Sequence, residues 1–268
     1  MELAVSTDML IEGRHFRAGA DARELGHKAL AVNLSDMAAM GATPRWATLA
    51  LALPRVDGRW LAGFSKGFFA LARRFGVELV GGDTTRGPLC ISVTIGGEVP
   101  KRKALRRDGA RPGDGIWVSG RLGGASYALV RPRDAAAAKR LHRPEPRVNL
   151  GLRLRGIATA AIDVSDGFAQ DLGHILERSG VGAVVQYESL PKHRIGDAKL
   201  ERRCVLSGGD DYELIFTARA GDKIDAIARA LRLKLTRVGS IGKGRGLQIL
   251  DRTGRRVVPA RGFDHFAT

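Results

Sequence analysis

The chain has 268 residues, 44% of them hydrophobic, and a formal net charge of +16. This length accommodates one large domain or two modest ones. Because the chain has no apolar run of about 20 residues and no secretory signal, we expect a cytoplasmic protein that does not act at a membrane. Cys90 and Cys204 have no metal-binding spacing and are predicted to be reduced core residues.

Much of the positive charge lies at 101–155, where fifteen Lys and Arg stand against four Asp and Glu. This segment contains two aromatic residues and no recognisable nucleic-acid motif. The pattern favours a solvated basic face, or a surface that attracts phosphorylated small molecules, over specific nucleic-acid binding.

The predicted elements of the first half alternate between strands and helices. A short strand at 3–6 delivers Thr7 and Asp8 to its end, and the spacing of Asp21 and Glu24 predicts a capped helix. The half continues with a buried strand at 47–53, a helix over 60–75 that ends at Gly76, a strand at 77–80 that runs into Gly81-Gly82-Asp83, and a strand at 91–99.

A stretch with glycine and proline at 107–115 is the predicted domain boundary, which divides 1–108 from 109–268. The apolar pair at 205–206 is interpreted as a strand end. The other predicted elements of the second half are strands at 116–119, near 162, and at 183–187, 212–217, 235–241 and 247–250, with helices near 129 and at 135–138, 150–157, 167–179 and 222–231. This alternation predicts an α/β protein.

Five clusters place an aspartate beside small or hydroxyl residues, four of them where a predicted strand ends. They are Ser6-Thr7-Asp8, Gly81-Gly82-Asp83, 163–167, 208–211 and, within a helix, Asp36. A single such aspartate is explained as a turn former or helix cap, but five of them suggest hard oxygen ligands for Mg²⁺. Because carboxylates alone would repel phosphates, we expect cations between the two, with Arg107 as a further phosphate ligand.

Seven motifs, in order, resemble those of the thiamine-monophosphate kinase family, which shares a superfamily with aminoimidazole-ribonucleotide synthetase. The P-loop and protein-kinase motifs are absent from the sequence. The seven are STDMLIEGRHF at 6–16, KALAVNLSDMAAMGA at 28–42, VGGDTTRGPL at 80–89, GARPGD at 109–114, AIDVSDGFAQDLGHI at 161–175, LSGGDDYEL at 206–214 and GFDHF at 262–266.

The resemblance implies a two-domain α/β (α+β) fold like that of aminoimidazole-ribonucleotide synthetase. An N-terminal domain at 1–108 would dimerise and a C-terminal domain would span 109–268, with ATP, thiamine monophosphate and several Mg²⁺ ions between them. The implied reaction transfers a phosphoryl group from ATP to thiamine monophosphate. Relatives begin with a further segment carrying a Gly-Asp-Asp-Ala-type metal ligand, and the chain is expected to start after it.

The resemblance also assigns roles to single residues. The implied metal ligands are Ser6, Thr7, Asp8, Asp36, Asp83, Asp163 and Asp166. The implied ATP positions are Gly82, Asp83, Arg107 and Ser165, of which Asp83 and Arg107 would position phosphates. The implied thiamine-facing residues are His15, Asp210 and Phe263. No general acid or base is assigned, since the accepting phosphate oxygen is already anionic.

Three alternatives stay open. The chain could be a sister enzyme that uses ATP on another small acceptor, or a truncated form that binds thiamine phosphates or ATP with impaired or no turnover. A nucleic-acid binder is the third, and it predicts binding that weakens steeply with salt.

Overall fold

One sheet is formed by four strands from the first hundred residues. They are β1 (Glu2–Ile11), β2 (Thr43–Leu53), β3 (Glu78–Arg86) and β4 (Cys90–Val99), in the order β1-β4-β2-β3. β4 is antiparallel to both its neighbours, and β2 and β3 are parallel. The structure, a computed structural model, describes residues 1–219, 221–260 and 262.

Two helices, α1 (Ala22–Ala39) and α2 (Gly58–Phe75), accompany this sheet. Asp21 caps α1 by accepting a 2.9 Å hydrogen bond from the backbone N–H of Glu24, as the spacing predicted. Gly76 ends α2 in the left-handed conformation. Because side chains alternate across a strand, the even residues of β1 are the more buried set, while apolar odd residues lie exposed on the other face of the sheet.

Six strands from the rest of the chain form a second sheet, whose order is β10-β7-β9-β5-β8-β6. The strands are β5 (Gly115–Ser119), β6 (Ala160–Asp163), β7 (Gly182–Gln186), β8 (Leu214–Ala218), β9 (Leu235–Gly242) and β10 (Gly246–Leu250). The helices are α3 (Gly124–Val130), α4 (Ala135–His142), α5 (Val148–Leu154), α6 (Phe168–Ser179), α7 (Ala198–Ser207) and α8 (Gly221–Leu231), with a 3₁₀ turn at Tyr187–Ser189.

A single hydrophobic cluster connects the two halves. α1 contacts β1 and β4 of the first sheet and also β6 and α5 of the second half. The cluster accordingly includes Phe64 and Phe68 from α2 together with Phe216 from β8. Every helix in the described part of the chain is too short or too polar to serve as a membrane span.

Three predicted strand ends were wrong. β1 continues past Asp8 to Ile11, and β3 continues past Asp83 to Arg86. The polar residues that were interpreted as strand ends lie inside strands that are paired with their neighbours. The pair at 205–206 lies in α7, where both residues are buried on the inner side of a helix. The predicted boundary region at 107–115 falls between the last strand of the first sheet and the first strand of the second, and the division at 108/109 stays a prediction.

Candidate functional site

A cavity with a volume of about 1420 Å³ lies between the two halves. Its walls come from the end of β1 and the loop after it, from α1, and from the loops that follow β6 and α7. The predicted site residues that line it are Asp8, His15, Ser165, Asp166 and Asp210. The fold therefore brings together residues as far apart in the sequence as Asp8 and Asp210.

The four carboxylates of Asp8, Asp36, Asp163 and Asp166 lie close enough to affect one another, and Asp8 and Asp166 also line this cavity. Burial and the neighbouring Asp36 and Asp166 carboxylates together raise the pKa of Asp8 to about 7. Burial also raises the pKa of Asp163 well above its ordinary value, and the Asp36 carboxylate adds to that shift. These mutual effects mean that β1, α1 and the end of β6 concentrate negative charge in one place.

Hydroxyl groups and one arginine moderate this charge. Ser6 donates a hydrogen bond to Asp36, and Ser35 donates one of 2.6 Å to Asp163. Burial raises the pKa of Asp36, while the Ser6 hydroxyl and the Arg107 guanidinium lower it. Arg107 is thus close enough to the carboxylates to act on them, although it comes from the segment between the two sheets.

The donor set fits Mg²⁺, which prefers carboxylate and hydroxyl oxygens. The pKa values of Asp8 and Asp163 are raised mainly by burial and in addition by the neighbouring carboxylates, so a bound cation would favour the charged forms. Among the described residues, however, no three Asp, Glu, His or Cys side chains converge on one point as a metal site. Phosphate oxygens and water would supply the remaining ligands, and the metal assignment stays a prediction.

Thr7 and Asp83 lie on the opposite face of the four-stranded sheet from Asp8. Thr7 follows Ser6 in an alternating strand, and its hydroxyl lies 2.9 Å from that of Thr94 on the exposed face. Asp83 is exposed and pairs with Ala50, an exposed position of β2. The structure therefore separates these two predicted ligands from the four carboxylates within this chain.

The pairing of β3 with β2 requires a glycine at position 82. A Cβ placed on Gly82 would lie 1.8 Å from the backbone oxygen of Leu49, so a larger residue would push β3 away from β2. Gly82 and Asp83 are not among the described residues that line the cavity. Any contact of Gly82 and Asp83 with ATP would therefore take place at the exposed edge strand β3 and not in this cavity.

Two loops at the cavity are bonded to each other. The backbone N–H of Asp210 donates to the carbonyl oxygen of Ser165 at 2.9 Å, and that of Tyr212 donates to Val164 at 2.9 Å. Asp210 and Tyr212 both have left-handed backbone conformations, with φ of 67° and 48°, which side-chain-bearing residues rarely adopt. These hydrogen bonds hold that strained backbone in place.

Asp171 is a site residue that the sequence analysis missed. Its carboxylate accepts three backbone hydrogen bonds of 3.0–3.1 Å, from Ser165, Asp166 and Gly167. Burial raises the pKa of Asp171 to about 7, despite the opposite effect of the hydrogen bonds from these three N–H groups. Asp171 thus fixes the loop that carries two predicted ligands, and an acidic residue in the first turn of α6 was the available signal.

The thiamine-facing predictions fall into three cases. His15 lines the cavity, and its Nδ1 accepts a 3.0 Å hydrogen bond from the backbone of Ile11, which places the proton of the neutral ring on Nε2. Asp210 lines the cavity and forms an ion pair with Lys28, a residue that the sequence analysis did not assign. Phe263 lies outside the described residues, as does most of the GFDHF motif.

Comparisons with known proteins extend over nearly the whole chain. The family models for AIR synthase related protein match with the N-terminal domain at 1–99 and the C-terminal domain at 111–252. The thiamine-monophosphate kinase of Salmonella typhimurium is 46% identical over 284 residues, which cover 99% of this chain and 87% of that protein.

Two solved structures have the same fold. The thiamine-monophosphate kinase from Stenotrophomonas maltophilia K279a has a TM-score of 0.90 and 48% identity, covering 96% of this chain and 86% of that one. A structure of AaThiL complexed with AMPPCP and TMP has a TM-score of 0.87 and 31% identity, covering 98% and 87%.

Proposed function

Because the chain belongs to the thiamine-monophosphate kinase family of AIR synthase related proteins, we propose that it transfers the terminal phosphoryl group of ATP to thiamine monophosphate. The bond between the β- and γ-phosphates breaks, and an oxygen of the acceptor phosphate forms the new bond to phosphorus. The products are ADP and thiamine diphosphate. The group of four carboxylates, of which Asp8 and Asp166 line the cavity between the two halves, is the observation that carries this proposal.

The carboxylates require a cation for this role, and the proposed one is Mg²⁺. Bound there, the ions would offset the repulsion between two phosphorylated substrates and stabilise the charge that develops during transfer. The residues that would hold them on the cavity side are Ser6, Asp8, Asp36, Asp163 and Asp166. Thr7 and Asp83 would act at the opposite face of the sheet.

The proposed ATP positions are Gly82, Asp83, Arg107 and Ser165. Arg107 offers a planar guanidinium that can bind a phosphate with two hydrogen bonds, and it already acts on the Asp36 carboxylate. Since the acceptor oxygen is anionic at neutral pH, these residues have to position it rather than remove a proton. On the thiamine side, His15, Asp210 and Phe263 are the proposed contacts.

The exposed face of the four-stranded sheet supports the proposal of a homodimer. Leu3, Val5 and Met9 of β1 and Val80 of β3, the two edge strands of this sheet, are between 48% and 66% exposed, which is unusual for large apolar side chains of a monomer. A second copy packed on this face would also cover Thr7 and Asp83. Light scattering should give the mass of a dimer that Val5→Asp converts to a monomer, and a monomeric wild type would contradict the proposal.

The activity is tested by incubating the chain with ATP, Mg²⁺ and thiamine monophosphate and separating thiamine diphosphate by chromatography. Product that depends on all three and disappears with chelator supports the kinase. Product from another phosphorylated acceptor in place of thiamine monophosphate would support a sister enzyme. Binding of both substrates by a folded chain, without product, would support a non-catalytic form instead. A cytoplasmic location, where ATP is plentiful, stays part of the proposal.

A further inference from the structure

We infer that Lys28 is a positioning residue of the thiamine site, holding the Asp210 carboxylate so that it accepts a hydrogen bond from the amino group of the substrate's pyrimidine ring. This inference rests on the proposed function, because it takes thiamine monophosphate as the ligand of the cavity. It gives the site a way to select aminopyrimidines.

Lys28 and Asp210 form a largely buried ion pair. The Lys28 ammonium, in the middle of α1, lies 3.0 Å from Oδ2 of Asp210, and the two side chains are 4% and 29% exposed. The hydroxyl of Tyr212 donates to the other oxygen, Oδ1, at 3.0 Å. One donor on each oxygen fixes both the place and the rotation of the carboxylate.

The carboxylate keeps capacity for a ligand. Its two oxygens together offer about four acceptor positions, of which Lys28 and Tyr212 occupy two. Lys28, Asp210 and Tyr212 all line the cavity. Asp210 is the more exposed of the two residues in the ion pair. An amine donor from the cavity therefore meets an acceptor that is already oriented, and the substrate does not have to organise it on binding.

The ion pair also reaches across the molecule. Lys28 belongs to the first half, which carries Asp8 and Asp36, whereas Asp210 belongs to the loop after α7. The backbone bond from Asp210 to Ser165 ties that loop to the predicted ATP position. Lys28 therefore sets the distance between the heterocycle and the carboxylates through Asp210.

A competing arrangement has Lys28 bind the substrate phosphate directly, since an ammonium has three donors and Asp210 accepts one of them. The two arrangements differ in what they recognise. A lysine that acts through Asp210 affects the pyrimidine end, whether or not a phosphate is present. A lysine that binds phosphate affects thiamine monophosphate and leaves unphosphorylated thiamine unchanged.

The test measures the binding of thiamine and of oxythiamine, in which a carbonyl replaces the amino group, by calorimetry. In the wild type we expect thiamine to bind at least about tenfold more tightly, the scale of one hydrogen bond to a charged group. In Lys28→Met the preference should fall below about twofold, with the Michaelis constant for thiamine monophosphate raised about tenfold and that for ATP unchanged. Tyr212→Phe should reduce the preference to a smaller extent.

A double-mutant cycle identifies the route of the effect. If Lys28 works through Asp210, the Lys28→Met/Asp210→Asn variant should bind thiamine no more weakly than Asp210→Asn alone. Lys66→Met, at an exposed position of α2, is the matched control and should behave as the wild type. Far-ultraviolet circular dichroism checks that each variant is folded, and Tyr212→Phe keeps the test valid if Lys28→Met does not fold.

The inference and the proposed function fail in different ways. A wild type that binds thiamine and oxythiamine equally, additive effects in the cycle, or an unchanged preference in Lys28→Met would each overturn the inference, even if thiamine diphosphate is produced. Selective thiamine binding that depends on Lys28, in a wild type that forms no thiamine diphosphate, would support the inference and contradict the kinase.

Discussion

The backbone N–H of Asp210 donates a 2.9 Å hydrogen bond to the carbonyl oxygen of Ser165. Ser165 is a proposed ATP position and Asp210 a proposed thiamine contact, so this main-chain bond, together with that from Tyr212 to Val164, connects the two substrates' binding loops. A displacement of the loop that carries Ser165 consequently displaces the loop that carries Asp210. An in-line transfer needs the two phosphates at a fixed separation, and this bond contributes to that separation.

Gly209→Ala should disturb both substrates at once. A Cβ at this position would lie 2.1 Å from the carbonyl oxygen of Ser165, so the two loops would have to separate. We expect the Michaelis constants for ATP and thiamine monophosphate both to rise and the free energy of unfolding to fall by about 1–3 kcal/mol. Gly196→Ala, with no atom within 4 Å of the added Cβ, is the control, and equal behaviour of the two variants would contradict the close approach.

Asp171→Ala should weaken the loop that carries Ser165 and Asp166. Three backbone N–H groups would lose their acceptor, and we expect the free energy of unfolding in urea to fall by about 3 kcal/mol. Asp171→Asn keeps one acceptor oxygen and should lose less. Glu177→Ala, exposed on the same helix, should stay within about 0.5 kcal/mol of the wild type. A stability of Asp171→Ala equal to that control would remove the proposed role.

Asp83→Asn should lower the turnover number about 100-fold without changing the melting temperature, because its side chain is exposed and it is a proposed metal ligand. The measurement is initial rate against Mg²⁺ concentration, and a shift of the Mg²⁺ midpoint to higher concentration is expected. Asp225→Asn, on the exposed side of α8, serves as the control. Rates like those of the wild type in Asp83→Asn would exclude the metal role.

Arg107→Ala should raise the Michaelis constant for ATP about tenfold or more, and that for thiamine monophosphate less, since a bidentate guanidinium is lost from the phosphates. Arg107→Lys should restore part of the affinity, because it keeps the charge and loses the planar geometry. Arg153→Ala, exposed on α5, tests for a general effect of removing positive charge. Unchanged ATP kinetics in Arg107→Ala would contradict the assignment.

The stability of the fold should decrease between about pH 4 and pH 7 in part because of Asp211. Burial raises the pKa of Asp211 to about 7, although hydrogen bonds from Gly123 and Ala125 lower it. Since the folded chain holds this proton more tightly than the unfolded chain, its stabilising effect is present at low pH and is lost as pH rises from about 4 through 7.

For one group the slope reaches about 1.4 kcal/mol per pH unit. Urea denaturation with chelator at several pH values should give a shallower dependence for Asp211→Asn than for the wild type. Equal slopes would show that Asp211 does not titrate in this range.

The family, the fold class and most elements could be predicted because the relevant signals are local. The capping spacing of Asp21 and Glu24, for example, depends on three residues of separation alone. The faces of the first sheet could not be predicted while Ser6, Thr7 and Asp8 were interpreted as a strand end. Once β1 is seen to continue, strict alternation places Thr7 opposite its two neighbours.

Lys28 was missed for a different reason. It stands in a motif that was recognised, but its partner lies in another element and is brought near by the packing of α1, whereas Asp171 bonds to the loop directly before its own helix. A lysine within the apolar run of a buried helix face was a usable signal, because a buried ammonium needs a partner. Its partner, Asp210, is 182 positions away, and no spacing rule identifies it.

The hydrophobic cluster that joins Phe64 and Phe68 to Phe216 limits how the cavity can admit its ligands. Hinge bending of one half against the other would pull apart close-packed side chains, at a cost that grows with every contact broken. We therefore expect the two halves to move little against each other, and substrate exchange to depend on the surface loop between β1 and α1. Turnover should then be sensitive to substitutions in that loop, and insensitive to those that would loosen a hinge between the sheets.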